Sequence, residues 1–185
     1  MAILKVAQMG HPVLRQVAAA IHTDHILSDP VQALIADMQD TVYEYDGLGL
    51  AAPQVHYSVR LVLLTVLGEM RVVINPVITP LTDELMRTYE GCLSVEGMRA
   101  AVDRVAKIRL AAWGADGKPF ELELEDMDAV VVQHECDHLD GVLYVDRCDT
   151  GTLAFIEEYR RFGPLDQLGE DDDEELDDAD LQIEE

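Results

Sequence analysis

Val130-Val131-Val132-Gln133-His134-Glu135-Cys136-Asp137-His138-Leu139-Asp140-Gly141 contains the pattern His-Glu-x-x-His. On a helix, residues four apart share one face, so His134 and His138 would lie side by side. Two imidazoles so placed can hold a metal ion, and the adjacent Glu135 is available as a general base. The flanks favour a helix: an apolar run leads in from Met127, and Asp140-Gly141 gives a C-terminal stop. Chance would give such a match in roughly one of sixty chains of this composition, so a metal site is the better reading. Two histidines do not complete a site, and the rest of the chain must supply a third ligand.

At 185 residues and 49 % apolar content, the chain is sized for one folded domain. It has no apolar run long enough to span a membrane, and its first residues resemble neither a secretion signal nor a transit peptide. The expectation is a cytoplasmic protein without a membrane partner. Cys92, Cys136 and Cys148 are too few and odd in number for a disulfide scaffold, which fits a reducing compartment. Net charge is −24, unevenly spread: residues 170–185 hold eleven acids and no Lys or Arg, so −24 less −11 leaves −13 on the body. Such a surface argues against nucleic-acid binding. Residues 166–185 read as an acidic, disordered tail after a folded unit over 1–165.

Along the chain, His11-Pro12-Val13-Leu14-Arg15 reads as a helical turn, and His22 and His25 fall in a loop. Asp29 as N-cap and Pro30 at N1 open a helix whose stripe is Val31, Leu34, Ile35, Met38 and Val42, ending at Asp46-Gly47. The following Gly47-Leu48-Gly49-Leu50-Ala51-Ala52-Pro53-Gln54 is not a phosphate loop: it follows a helix and no Lys-Ser/Thr succeeds its glycines. Those glycines suggest backbone that another group approaches closely. Taken alone, Gln54 reads as a surface turn residue. Strands are predicted at 60–67 and 71–78, and again at 105–113 and 119–125. In the last, Phe120, Leu122 and Leu124 alternate with Glu121, Glu123 and Glu125. Asp126 is a candidate cap for the His134 helix, residues 142–145 a short strand, and 150–162 a closing amphipathic helix packing through Leu153, Phe155, Ile156 and Tyr159. Cys92, in Glu90-Gly91-Cys92-Leu93-Ser94, reads by default as a buried apolar residue, with a nucleophile or the missing metal ligand as the alternatives.

Three motifs stand in order: Gly-x-Gly-x-Ala-Ala-x-Gln at 47–54, Glu-Gly-Cys-Leu-Ser at 90–94, and Gln-His-Glu-x-Asp-His-Leu-x-Gly at 133–141. Together they resemble the peptide deformylases, up to about Phe162. The resemblance implies an α+β domain of antiparallel sheets around a central metal-binding helix. It implies hydrolysis of the formyl group from N-formylmethionyl nascent peptides, with release of formate. Carried over by motif, Cys92, His134 and His138 are the metal ligands and Glu135 the acid/base. The Leu93 N–H and the Gln54 amide are donors to the formyl oxygen. Leu48, Gly49 and Gly91 contact the peptide backbone; Val130 and Val131 line the methionine pocket; Arg99 and Arg104 match family positions. The implied cofactor is one divalent ion, Fe2+ natively, with Zn2+, Ni2+ or Co2+ as substitutes, and the ribosome exit region is implied as a transient partner. Glu96 stands where many members have Pro. A zinc peptidase is the competing reading, but its third ligand would usually come from downstream of the helix.

Overall fold

The structure, a computed structural model, describes residues 2–164. The expected tail over 166–185 lies outside them. Among the described residues eight strands and three α-helices alternate with short 3-10 turns. The strands are β1 (Gly49–Ala51), β2 (Leu61–Val66), β3 (Glu69–Pro80), β4 (Leu85–Cys92), β5 (Val95–Val105), β6 (Lys107–Trp113), β7 (Pro119–Glu125) and β8 (Ala154–Phe155). The helices are α1 (Asp29–Glu44), α2 (Asp126–Leu139) and α3 (Ile156–Phe162). One sheet has the order β1-β2-β3-β6-β7, the other β4-β5-β8, and every named strand pair is antiparallel. No helix among these residues is long and apolar enough to cross a membrane.

Packing follows from the side-chain periods. Along β2 the side chains alternate between two cores. Val62, Leu64 and Val66 join the cluster under α2, whereas Leu61 and Leu63 join the one under α1. The larger sheet is thus covered by a helix on each side. Ala129, Val132, Cys136 and Leu139, spaced 3, 4 and 3 apart, form the α2 stripe on that sheet. Cys136 is therefore a core residue, and burial pushes its thiol up to about 12. The stripe of α2 carrying His134 and His138 is left to face β4 and β5. Gln133 fastens α2 to the end of β5: its side chain accepts from Val105 N (3.1 Å) and donates to Val105 O (2.9 Å), imitating one rung of a sheet. Gly141 ends the helix at φ +73°, where any Cβ would lie 2.8 Å from the Arg15 carbonyl carbon.

Several expectations are corrected. Ser28, not Asp29, is the N-cap of α1, and Glu125, not Asp126, that of α2. The 47–54 loop contains β1 and a 3-10 turn, Ala52–Val55, in which Gln54 is buried. No strand forms at 142–145, because the Asp146 carboxylate accepts from Leu143 N (2.7 Å) and curls the chain into a turn. The closing helix is shorter than 150–162. Asp149 caps a turn at Gly151 N (3.0 Å), Thr152 Oγ1 accepts from Ala101 N (2.8 Å), and β8 then pairs with Met98 and Arg99 before α3 begins. Leu153 and Phe155 are exposed rather than packed, while Tyr159 meets the Tyr89 ring at 4.9 Å. Strands β4 and β5, absent from the predicted strands, form the second sheet and carry Cys92.

Candidate metal centre

Three elements meet at the site: the end of β4, α2, and the β1 loop. The donor atoms of Cys92, His134 and His138 all lie within 4.8 Å of one another. Cys92 Sγ is 3.3 Å from His138 Nε2. That approaches the roughly 3.5 Å between two ligands sharing one tetrahedral ion. A soft thiolate with two imidazoles suits a divalent transition metal, so the residues present fit the group. The two rings stand at 80° to each other, and the buried Tyr144 ring is stacked at 22° on that of His134.

A buried ionic chain fixes the ligands from behind. His134 Nδ1 meets Glu90 Oε2 at 2.7 Å, which leaves Nε2 as the nitrogen available to a metal ion. Arg104, only 4 % exposed, holds both Glu90 oxygens (2.7 and 2.9 Å) and reaches Asp137 Oδ2 at 2.6 Å. Arg147 donates to the other oxygen of Asp137 at 2.9 Å. Burial works to raise the Glu90 pKa, but Arg104 and His134 outweigh it and hold the carboxyl down at about 2. Burial likewise lowers His134, yet Cys92 and Glu90 overcome it and push the metal-free imidazole up to about 10. His138, buried and beside the cations His134 and Arg104, is held well below its usual range.

Glu135 lies on the other side of the ligands. Burial pushes its carboxyl up to about 7, against the pull of His134. An added Cβ on Gly49 would be 2.6 Å from Glu135 Oε1, so the glycine is where the carboxylate fits. Its other oxygen, Oε2, is buried and has no hydrogen-bond partner among the described residues. Gln54 is anchored by Ala51 N donating to Oε1 (2.7 Å), which turns its Nε2 toward Ser94 Oγ (3.3 Å) and Cys92 Sγ (3.5 Å).

Of the residues named from sequence, Cys92, His134, His138, Glu135, Gln54 and Gly49 are brought together. Leu93 and Gly91 adjoin Cys92, with Leu93 half-buried and Gly91 exposed. Leu48 is exposed beside Gly49, whereas Val130 is buried one turn before His134. Val131 is half-buried and packs on the core cluster under α2. Arg99 lies over the Tyr159 ring at 5.8 Å. Sequence reasoning missed the parts played by Glu90, Asp137 and Ser94. Their one signal was membership of the same motifs as the ligands.

Residues 3–153 match the family Polypeptide deformylase. A peptide deformylase of Stutzerimonas stutzeri is 45 % identical over 149 residues, covering 79 % of this chain and 87 % of that one. The solved class I type b peptide deformylase of Acinetobacter baumannii superposes with a TM-score of 0.77 at 33 % identity, over 80 % of this chain and 100 % of the other. The Thermotoga maritima peptide deformylase gives 0.76 at 36 %, over 80 % and 99 %. Fold and site together define a metal-dependent hydrolase built on a His-Glu-x-x-His helix. More narrowly, the chain belongs to the polypeptide deformylase family, the enzymes that remove formyl from N-formylmethionyl peptides.

Proposed function

We propose that Cys92, His134 and His138 hold a ferrous ion and that Glu135 moves the proton in deformylation of nascent chains in the cytoplasm. The observation that carries this is the convergence of those three donor atoms within 4.8 Å, next to a buried carboxyl. When bound, the ion supplies Lewis acidity that brings a water proton within reach near neutral pH. Glu135 Oε2 takes that proton and returns it to the departing amine nitrogen, and the burial that raises its carboxyl strengthens it as the base. The Gln54 amide and the Leu93 N–H donate to the formyl oxygen as it gains charge, where one donor is worth about 3 kcal/mol. Glu90 keeps His134 in the tautomer that presents Nε2.

Around this centre, Leu48, Gly49, Gly91 and Arg99 hold the peptide, and Val130 and Val131 border the methionine side chain. A Met-Ala-Ser-bound structure of the Acinetobacter baumannii enzyme supports such a peptide site. Nickel and cobalt substitute in the same donors, zinc less actively. The test loads one metal-free preparation with each ion and follows formate release with and without oxygen. The iron form is expected to be active and to fade in air, because both iron and thiolate are oxidisable. An iron form indifferent to air, or no more active than zinc, would overturn the assignment of iron.

A further inference from the structure

The N-terminal segment 7–9 touches both loops that carry the formyl-oxygen donors. Ala7 N donates to Gln54 O at 2.7 Å. The Gln8 side-chain amide donates to Leu93 O at 3.0 Å, and Met9 N donates to Ser94 O at 2.7 Å. Ser94 is the meeting point of these bonds. Its N–H donates to Cys92 Sγ (3.4 Å) and its hydroxyl accepts from Gln54 Nε2 (3.3 Å). The Leu93–Ser94 peptide is therefore held at its N–H by Cys92 Sγ and at its C=O by the Gln8 side chain. Ala7 is buried in a further core cluster with Val13, Leu14 and Val95, so the segment is itself anchored.

We propose that residues 7–9 are a strap that sets the direction of both formyl-oxygen donors, with Gln8 as a positioning residue acting through Leu93. The inference rests on the donor roles of Gln54 and Leu93 given above. A preorganised donor contributes only when it points at the charge that develops; freeing the Leu93–Ser94 peptide that Gln8 holds lets Leu93 turn about its backbone torsions and re-aims the N–H on the preceding peptide, which lowers turnover more than binding. Gln8 is exposed and fills no core volume, so its replacement separates positioning from folding. The loss of one such hydrogen bond corresponds to about fivefold in rate.

The experiment uses the full chain loaded with nickel and measures formate release from formyl-Met-Ala-Ser. It compares the wild type with Gln8→Ala, Gln8→Glu and Gln8→Lys, and takes Gln54→Ala as the reference for the donors. Gln8→Ala is expected to lower kcat about fivefold while leaving KM, Tm and affinity for the product Met-Ala-Ser unchanged. Gln8→Glu, which sets a carboxylate against the Leu93 carbonyl, loses at least as much. Gln8→Lys restores a donor and recovers most of the rate. Wild-type kcat in every Gln8 variant, alongside an impaired Gln54→Ala, overturns the strap and leaves the donors standing. A loss that follows Tm or KM, or that Lys does not rescue, also overturns it. Full activity in Gln54→Ala, or no formate from the wild type, instead removes the reading on which the strap rests.

Discussion

Glu135 and Gly49 show how narrowly the chemistry is fitted. The carboxylate takes the space a side chain at position 49 would need, since a Cβ there would lie 2.6 Å from Oε1. Gly49→Ala must therefore move either β1 or Glu135. We expect it to lower formate release by at least about tenfold while a nickel ion stays bound, since no ligand is touched. Metal analysis beside the rate checks this, and loss of the metal would show that Gly49 supports the ligands instead. Glu135→Gln keeps the shape and removes the carboxylate proposed to take the proton. Its formate release is expected to fall by about 10²- to 10⁴-fold with metal content unchanged. Cys136→Ala is the control, because Cys136 belongs to the α2 core stripe and should leave metal content as it was.

At the scale of elements, Arg104 joins β4, β5 and α2 through Glu90 and Asp137. Removing one partner of a buried ion pair strands the others, at a cost of about 3–5 kcal/mol. Arg104→Met is expected to lower unfolding free energy by about that amount in urea titration. Glu90 adds a pH signature. Its folded pKa lies below the unfolded value, so its stabilisation is present above about pH 4.5 and is lost as pH falls toward 2. In Arg104→Met the folded pKa of Glu90 moves up, so the stability lost between about pH 4.5 and 2 should be smaller than in the wild type. The same element explains what the sequence hid. Strand β5 reads Val95-Glu96-Gly97-Met98-Arg99-Ala100-Ala101-Val102-Asp103-Arg104-Val105, with three small residues buried in a row and a buried Arg. It has no alternation to betray a strand, because one end lies under α2 and the site. Strand β7, with one wet face, was plain from its Glu/Leu alternation. The His-Glu-x-x-His helix was plain too, whereas the ionic chain behind it joins residues 10 to 44 positions apart and leaves no local pattern.

For the whole molecule, the proposed ligand set makes metal and proton competitors for His134. The metal-free His134 keeps its proton up to about 10, above the unfolded value of 6.5. Its stabilisation is thus full below pH 6.5 and is lost as pH rises toward 10. His138 acts oppositely, but only below its ordinary value of 6.5. Between about pH 7 and 9 the metal-free protein should therefore lose thermal stability, while the nickel-loaded protein, whose His134 is already neutral, should not. Calorimetric scans of both forms across that window check this, and parallel curves would contradict it.

The proposed reaction is removal of formyl groups at this site with Glu135 moving the proton. Its most direct measurement is formate release from formyl-Met-Ala-Ser by the anaerobically iron-loaded chain, beside Glu135→Gln loaded identically. The prediction is stoichiometric formate and Met-Ala-Ser from the wild type, and almost none from a variant carrying the same amount of iron. Cleavage of an internal peptide bond, an absence of formate, or equal rates from the two proteins would contradict it.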